Sequence, residues 1–300
     1  MTNNSFPEIP LSMWRPTKDT LHLFSQIVGK IRLAMHPRLN HWWHVPLYVT
    51  PRGLSTHMIP YNGGSFEIEF DFRDHALRMS NSAGREEDFA LYDGLTVADF
   101  YSSIFANLAK LGVDASIRAT PYEAPSDIAF PDDTEHGAYD KEHVEQFHRL
   151  LVWADDIMES FRGRFLGKST PVHMFWHSFD LALTRFSGRS APIREGANRV
   201  EREAYSHEVI SFGFWFGDDN VPAPAFYAYA APEPEGLADE PLLPDAARWV
   251  ESNNAHLAIL MYDDVRQHAD RDARVLQFLE SAYQAGAKRA EWDVESFRLT

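Results

Sequence analysis

The chain reads as an α+β protein. One or two mainly antiparallel sheets are flanked by long helices, in two related halves around a central cleft. Three observations lead there. Phe66, Ile68, Phe70 and Phe72 alternate with Glu67, Glu69 and Asp71, the two-residue period of a half-buried strand. Leu21, Phe24, Val28 and Ile31, and again Val97, Phe100, Ile104, Leu108 and Leu111, recur at helical spacing. The order helix, strand, strand, helix then occurs twice along the chain.

The elements follow in order. Residues 1–16 form an extended arm punctuated by Pro7, Pro10 and Pro16. Thr17–Ala34 is a helix, with Pro37 just beyond it. His41–Thr50 is a strand ended by Pro51. After strand Phe66–Phe72, Asn81–Gly84 marks a hairpin whose partner is Phe89–Tyr92. Thr96 caps a helix that runs to about Leu111 with Asp99 at its third position. Ser116–Thr120 is a short strand. Pro121–Asp140, rich in Pro and Asp, is a connecting loop between a first half, residues 1–120, and a second, residues 141–300. The two are expected to pack as one compact unit.

In the second half, Glu142–Phe161 is a helix. Val172–Phe186, Tyr205–Phe216 and Ala225–Ala230 are strands, His256–Tyr262 is a further strand candidate, and Asp272–Ala290 is a closing helix. A faint repeat supports the two-half reading. Trp43-His44 with Leu47–Thr50 parallels Trp176-His177 with Leu181–Thr184.

Composition limits the function. The formal charge of −16 opposes binding to nucleic acid and to anionic lipid. With no cysteine, disulfides, thiolate zinc sites, iron–sulfur clusters and cysteine nucleophiles are excluded. No apolar run reaches the ~18 residues of a membrane span, and no secretory leader is visible, so the expected location is the cytoplasm.

Several segments together resemble a known family. They are Thr20-Leu-His-Leu with Gln26-Ile-Val-Gly-Lys-Ile-Arg32, Asn40-His-Trp-Trp, Phe66–Phe72, Asp133-Thr-Glu-His136, Ser187-Gly-Arg189 and Pro224–Gly236. The chain is similar over nearly its whole length to an uncharacterised bacterial family, catalogued as domain of unknown function number 5996. The resemblance implies one full-length unit in a soluble protein. It brings no activity and no site residues.

Candidate chemistry therefore comes from the residues. The chain has 14 histidines, several in aromatic segments. A buried imidazole must find a partner or lose its charge. His173-x3-His177-x2-Asp180 would be a metal-binding face on a helix. On a strand the two histidines lie about 13 Å apart and cannot hold one ion. The strand is the expected form, which leaves His177 as a core or rim residue.

His207 and Glu208 point to opposite faces of their strand. Glu208 shares the aromatic face and needs either the strand end or a cation such as Arg185 or Arg189. If the halves pack around a cleft, His41, His173 and His207 converge there, as ligands for Zn²⁺ or Fe²⁺ or as acid–base groups. Glu208 stands beside them, and Arg185 or Lys30 holds an acidic substrate group.

The leading expectation is a soluble small-molecule enzyme of hydrolase or lyase type, metal-dependent if the histidines meet. The rival is a non-catalytic ligand-binding protein with an aromatic pocket of Trp43, Trp176, Trp215, Tyr227 and Tyr229. A structural or interaction protein is the third reading. No phosphate loop, nucleophile elbow or sustained heptad is present.

Overall fold

The computed structural model describes residues 6–252 and 254–299. Residues 1–5 of the expected arm lie outside them. The architecture is mixed α and β, with two antiparallel sheets and five α-helices among the described residues.

The first sheet comprises β1 (Tyr48–Val49), β2 (Gly53–Ser55), β3 (Ile59–Tyr61), β4 (Gly64–Asp71), β5 (Ala76–Asn81) and β6 (Glu86–Ala90). Its order is β1-β2-β4-β5-β6, with β3 also paired to β4. The second comprises β7 (His173–Phe175), β8 (Asp180–Ser190), β9 (His207–Trp215), β10 (Ala225–Ala231), β11 (Arg248–Ser252) and β12 (Ala255–Met261). Its order is β11-β12-β10-β9-β8-β7. The sheets touch at one isolated bridge, where Leu47 and Met174 exchange backbone hydrogen bonds of 2.9 and 2.7 Å.

The helices are α1 (Leu11–Met35), α2 (Val97–Lys110), α3 (Lys141–Arg162), α4 (Arg199–Ala204) and α5 (Arg271–Arg289). Thr96 caps α2 as its sequence requires: its hydroxyl accepts from the Asp99 N–H at 3.0 Å. Asp140 caps α3 in the same way through His143 N–H.

An aromatic chain ties the layers together. Phe24 of α1 stacks on Phe100 of α2 at 4.0 Å, and Phe100 faces Phe70 of β4. Phe72 meets Phe147 of α3, and Phe147 meets Phe216, just past β9, at 4.6 Å. Each such ring is fully or nearly fully buried, which stabilises the fold by roughly 1.5–3 kcal/mol per side chain.

Four expectations are corrected. Helix α1 begins at Leu11, so residues 11–16 are helical and not an arm. His41–Thr50 is not a strand. Asn40–Trp42 is a 3₁₀ turn, and only Tyr48–Val49 is extended. His41 and Trp42 have positive φ values of 53° and 62°, and Pro46 removes a ladder donor. Ser116–Thr120 forms no strand. Val172–Phe186 is two strands, β7 and β8, joined by a tight turn through Trp176–Phe179. That turn contains no glycine. Phe179 takes φ +56° and is held there by rings on both sides, Phe147 at 5.3 Å and His22 at 5.1 Å.

The repeated motifs occupy unlike places. Leu47–Thr50 includes the short edge strand β1, whereas Leu181–Thr184 lies in the long interior strand β8. The short helix α4 and the edge strand β11 were not anticipated, although the Asn198-x2-Glu201 capping box that starts α4 is visible in the sequence.

Candidate functional site

Strand register decides which residues meet. Across β8 and β9, Asp180 faces Trp215, Ala182 faces Gly213 and Thr184 faces Ser211. Across β9 and β10, Gly213 faces Tyr227 and Ser211 faces Tyr229. Directly paired residues share a face. One face of the second sheet thus carries Asp180, Thr184, Ser211, Trp215, Tyr227 and Tyr229. The other carries Leu181, Leu183, Arg185, Ile210, Phe212, Phe214 and Phe226 against α3 and α5.

The polar face is roofed to leave a cavity of about 800 Å³. That falls within the usual size of a small-molecule site. Lys30 and Leu33 of α1 form one wall, and the 118–123 loop another. His41 and Trp42 come from the 3₁₀ turn, and Val200, Glu201 and Ala204 from α4. Trp176 and His177, from the β7–β8 turn, complete it. The Gln26 side chain clamps the loop to α1, donating to the Tyr122 carbonyl at 2.6 Å and accepting from its N–H at 2.9 Å.

Two glycines make room for aromatic rings, Gly29 for one of the roof and Gly213 for one of the floor. A Cβ on Gly29 of α1 would fall inside the Trp176 indole, and one on Gly213 would fall inside the Tyr227 ring. Trp176 is fixed further by donating its indole N–H to the Val45 carbonyl at 3.0 Å.

Polar groups on the floor form three hydrogen-bonded sets. Asp180 accepts hydrogen bonds from the Ser178 and Tyr227 hydroxyls. Burial, then the Asp180 charge, pushes the Tyr227 phenol well above its usual pKa, so it remains a donor. Tyr229 and Tyr205 share a hydrogen bond of 2.9 Å, and Thr184 and Ser211 another of 2.9 Å. His177 lines the cavity beside Asp180. Its Nδ1 is buried and has no hydrogen-bond partner. Burial lowers its pKa, while Asp180 and Glu123 pull the other way.

The expected site residues divide. Lys30 and His41 line the cavity. His41 packs against His207, with ring centroids 5.5 Å apart. Its Nε2 accepts from Lys168 Nζ at 2.6 Å, so its Nδ1–H donates to the Glu203 carbonyl at 3.1 Å. Burial and then Lys168 lower its pKa, favouring the neutral ring.

His173 does not join them. It pairs with Ala182, whereas His207 pairs with Ser190, eight residues further along β8. That is about 25 Å of strand. His173 is sealed between Phe175 and Tyr48, has no hydrogen-bond partner on either nitrogen, and is pushed to a pKa of about 3 by burial.

Arg185 lies on the opposite face of the sheet. Its guanidinium sits 3.6 Å from Phe161, 4.5 Å from Tyr283 and 4.8 Å from Phe165, and donates to the Phe161 carbonyl at 2.6 Å. Burial lowers its pKa to about 10, which leaves it charged at neutral pH. Glu208 meets a cation as its face demanded. Arg189 binds it at 2.7 Å, and Ser187 and the Trp292 N–H complete its partners.

Among the described residues no three of His, Cys, Asp and Glu are placed to hold one metal ion. The expected Zn²⁺ or Fe²⁺ site of His41, His173 and His207 is therefore corrected: His41 and His207 meet, but the register sets His173 apart from both. The aromatic pocket fares differently. Trp176, Trp215, Tyr227 and Tyr229 line the cavity together, while Trp43 does not and its neighbour Trp42 does. Ser178 was missed as a site residue, and Asp180 was weighed only as part of the metal face that the strand reading set aside. The signal available was an Asp on the polar face of a strand otherwise rich in aliphatics.

No helix among the described residues is long and apolar enough to cross a membrane. No curated protein and no solved structure matches the chain. A family model, described as a family of unknown function (DUF5996), matches residues 6–299. That match spans nearly every residue that builds the sheets and the cavity, and the chain belongs to this family.

Proposed function

We propose that the protein binds a small, ring-bearing organic molecule in the cavity over the polar face of the second sheet. One observation carries this reading. A cavity of about 800 Å³ combines aromatic walls with a few convergent polar groups: Asp180, Tyr227, Tyr229 and His177. Small-molecule sites have that composition, apolar walls for affinity and sparse polar groups for orientation. The opposite face of the same sheet is closed by α3 and α5.

Thermal unfolding of the purified protein against a panel of aromatic metabolites tests it. A ligand at about 100 times its Kd adds about 2.7 kcal/mol to stability and raises the midpoint. Ala204→Trp fills the rim from α4. It should abolish the shift without lowering the midpoint of the unliganded protein. Ligands that stabilise parent and variant equally would place binding elsewhere.

A second reading keeps the enzyme. It rests on His177, which lines the cavity beside Asp180 and whose ring burial favours in the neutral form. A neutral imidazole can take a proton from a bound substrate, with Tyr227 as the adjacent donor. This supports proton-transfer chemistry of hydrolase or lyase type without a metal. His177→Gln should then leave binding intact and remove turnover of whatever ligand the panel finds. Turnover that survives in His177→Gln would remove this reading.

A further inference from the structure

The charges around the cavity are unevenly satisfied. Four carboxylates line it, and three of them are held by hydrogen bonds, Glu123 being the exception. Asp180 accepts from Ser178 and Tyr227. Glu201 meets Arg194 and the Asn198 N–H. Asp218 accepts from the Asn220 and Val221 N–H groups at 2.8 and 2.9 Å. Glu123 lies 3.9 Å from His177.

Two cations line the same cavity, and neither is engaged. Lys30 of α1 and Arg118 of the loop form no ion pair among the described residues. Lys30 is half-buried, and burial and then the neighbouring Arg118 lower its pKa. Its ammonium instead lies 5.7 Å from the Trp176 ring and 6.0 Å from the Phe130 ring. The chain carries 44 acidic residues against 28 basic ones, so a carboxylate partner is abundant in composition. Two adjacent cations left without one, at the mouth of an aromatic cavity, repel each other until an anion arrives.

We propose that the ligand of this cavity is an organic oxyanion, a carboxylate or phosphate borne on a ring. Lys30 and Arg118 bind the charge, and Trp176 packs against the ring. At the far end Asp180 accepts a hydrogen bond from a hydroxyl or amine of the ligand. The arrangement selects a molecule that is negative at one end and a donor at the other. This inference rests on the reading of the cavity as a ligand site and adds the charge class.

Three probes of one shape separate the possibilities: 4-hydroxybenzoate, 4-hydroxyphenyl phosphate and the neutral 4-hydroxybenzamide. Binding is followed by calorimetry and by the fluorescence of Trp176 and Trp215, in the parent and in the Lys30→Met, Arg118→Met double variant. Both substituted side chains are at least partly solvent-exposed, and an unchanged melting temperature verifies the fold. At least one anionic probe should bind the parent about ten-fold or more tightly than the amide, the scale of one charge-assisted hydrogen bond.

In the double variant that preference should fall to about one, with amide binding unchanged. The tighter anion, benzoate or phosphate, identifies the headgroup. An amide that binds the parent as tightly as both anions would overturn the oxyanion and leave the ligand site standing. A preference that persists in the double variant would overturn the roles of Lys30 and Arg118. No binding by any probe would count against the oxyanion, and a negative metabolite panel besides would remove the ligand site itself.

Discussion

The two sheets are built alike and used differently. Each has six strands, pairs antiparallel and buries an aromatic face under helices. In the first sheet the other face consumes its own polar groups: Glu69 accepts from Thr50 at 2.8 Å, and Glu67 accepts from Ser55. In the second sheet the other face carries Asp180, Thr184, Ser211 and three large aromatic residues under a roof of α1, α4 and loops. A polar face open to water needs no partner, whereas a roofed one must satisfy itself or bind something. The difference teaches that a site can be recognised by where polar residues are covered, more than by which residues they are.

The comparison can be broken at its strongest point first. Phe212 is fully buried on the core face, 4.9 Å from Phe161. Phe212→Ala should cost about 3–5 kcal/mol in urea unfolding. Tyr227→Phe on the cavity face removes one donor from Asp180 and should cost about 1–2 kcal/mol. Equal losses would mean that the two faces are not functionally distinct.

Acid should separate the regions next. Burial holds His173 at about 3 and His22 at about 4, below their ordinary value near 6.5. Such groups bind protons more tightly in the unfolded chain. Their contribution is complete above about pH 6.5 and is lost as pH falls below it, at up to about 1.4 kcal/mol per pH unit per histidine.

Asp71 of the first sheet behaves differently. Burial pushes its carboxyl up, but hydrogen bonds from Arg52, Arg78 and the Asp74 and Arg73 N–H groups outweigh it and hold the pKa at about 2. Its contribution is complete above about pH 4 and lost only between about 4 and 2. Stability measured from pH 7 to 4.5 should therefore fall on the order of 2 kcal/mol for each of the two histidines. His173→Phe should flatten that slope and Asp71→Asn should not. A slope unchanged in His173→Phe would show that its imidazole is not buried neutral.

Gly29→Ala places a methyl where the Trp176 indole lies. The expected cost is about 1–3 kcal/mol, with a shift in tryptophan emission as the ring is displaced from the cavity wall. A silent substitution would show that α1 does not fix this wall. The smallest effect belongs to the open polar face. Glu69→Gln keeps an acceptor for Thr50 and should change stability by less than about 0.5 kcal/mol. A larger loss would show that the first sheet's outer face is structural after all.

Much of the fold was legible along the chain. The alternation of Phe66–Phe72, the cap at Thr96 and the stripes of Val97–Leu111 and Glu142–Phe161 act within a few residues, and the structure places β4, α2 and α3 there. The Glu208 partner was among the alternatives the sequence left open, the strand end or a cation such as Arg185 or Arg189, and Arg189 is the one that binds it. The β7–β8 turn could not be anticipated. It uses Phe179 in a left-handed conformation that only packing against Phe147 and His22 sustains. The His41 segment failed for the same reason, since aromatic content resembles a strand until positive φ values and Pro46 intervene.

By itself the sequence determined the fold class, the family, the aromatic core and most helices and strands, because periodicity and capping are local properties. It also supplied Trp215, Tyr227 and Tyr229 of the cavity by spacing, since alternate residues of one strand share a face, whereas Trp43 was misplaced and Trp176 lines it from a turn. Only the tertiary structure decided which polar residues meet. Register set His173 about 25 Å of strand from His207, sent Arg185 into the core, and brought Lys30, Arg118, Trp176, Asp180 and Tyr227 to one cavity. Those residues lie up to about two hundred positions apart along the chain. Their encounter depends on how long-range strand pairs and roofing loops close, and no local pattern encodes it.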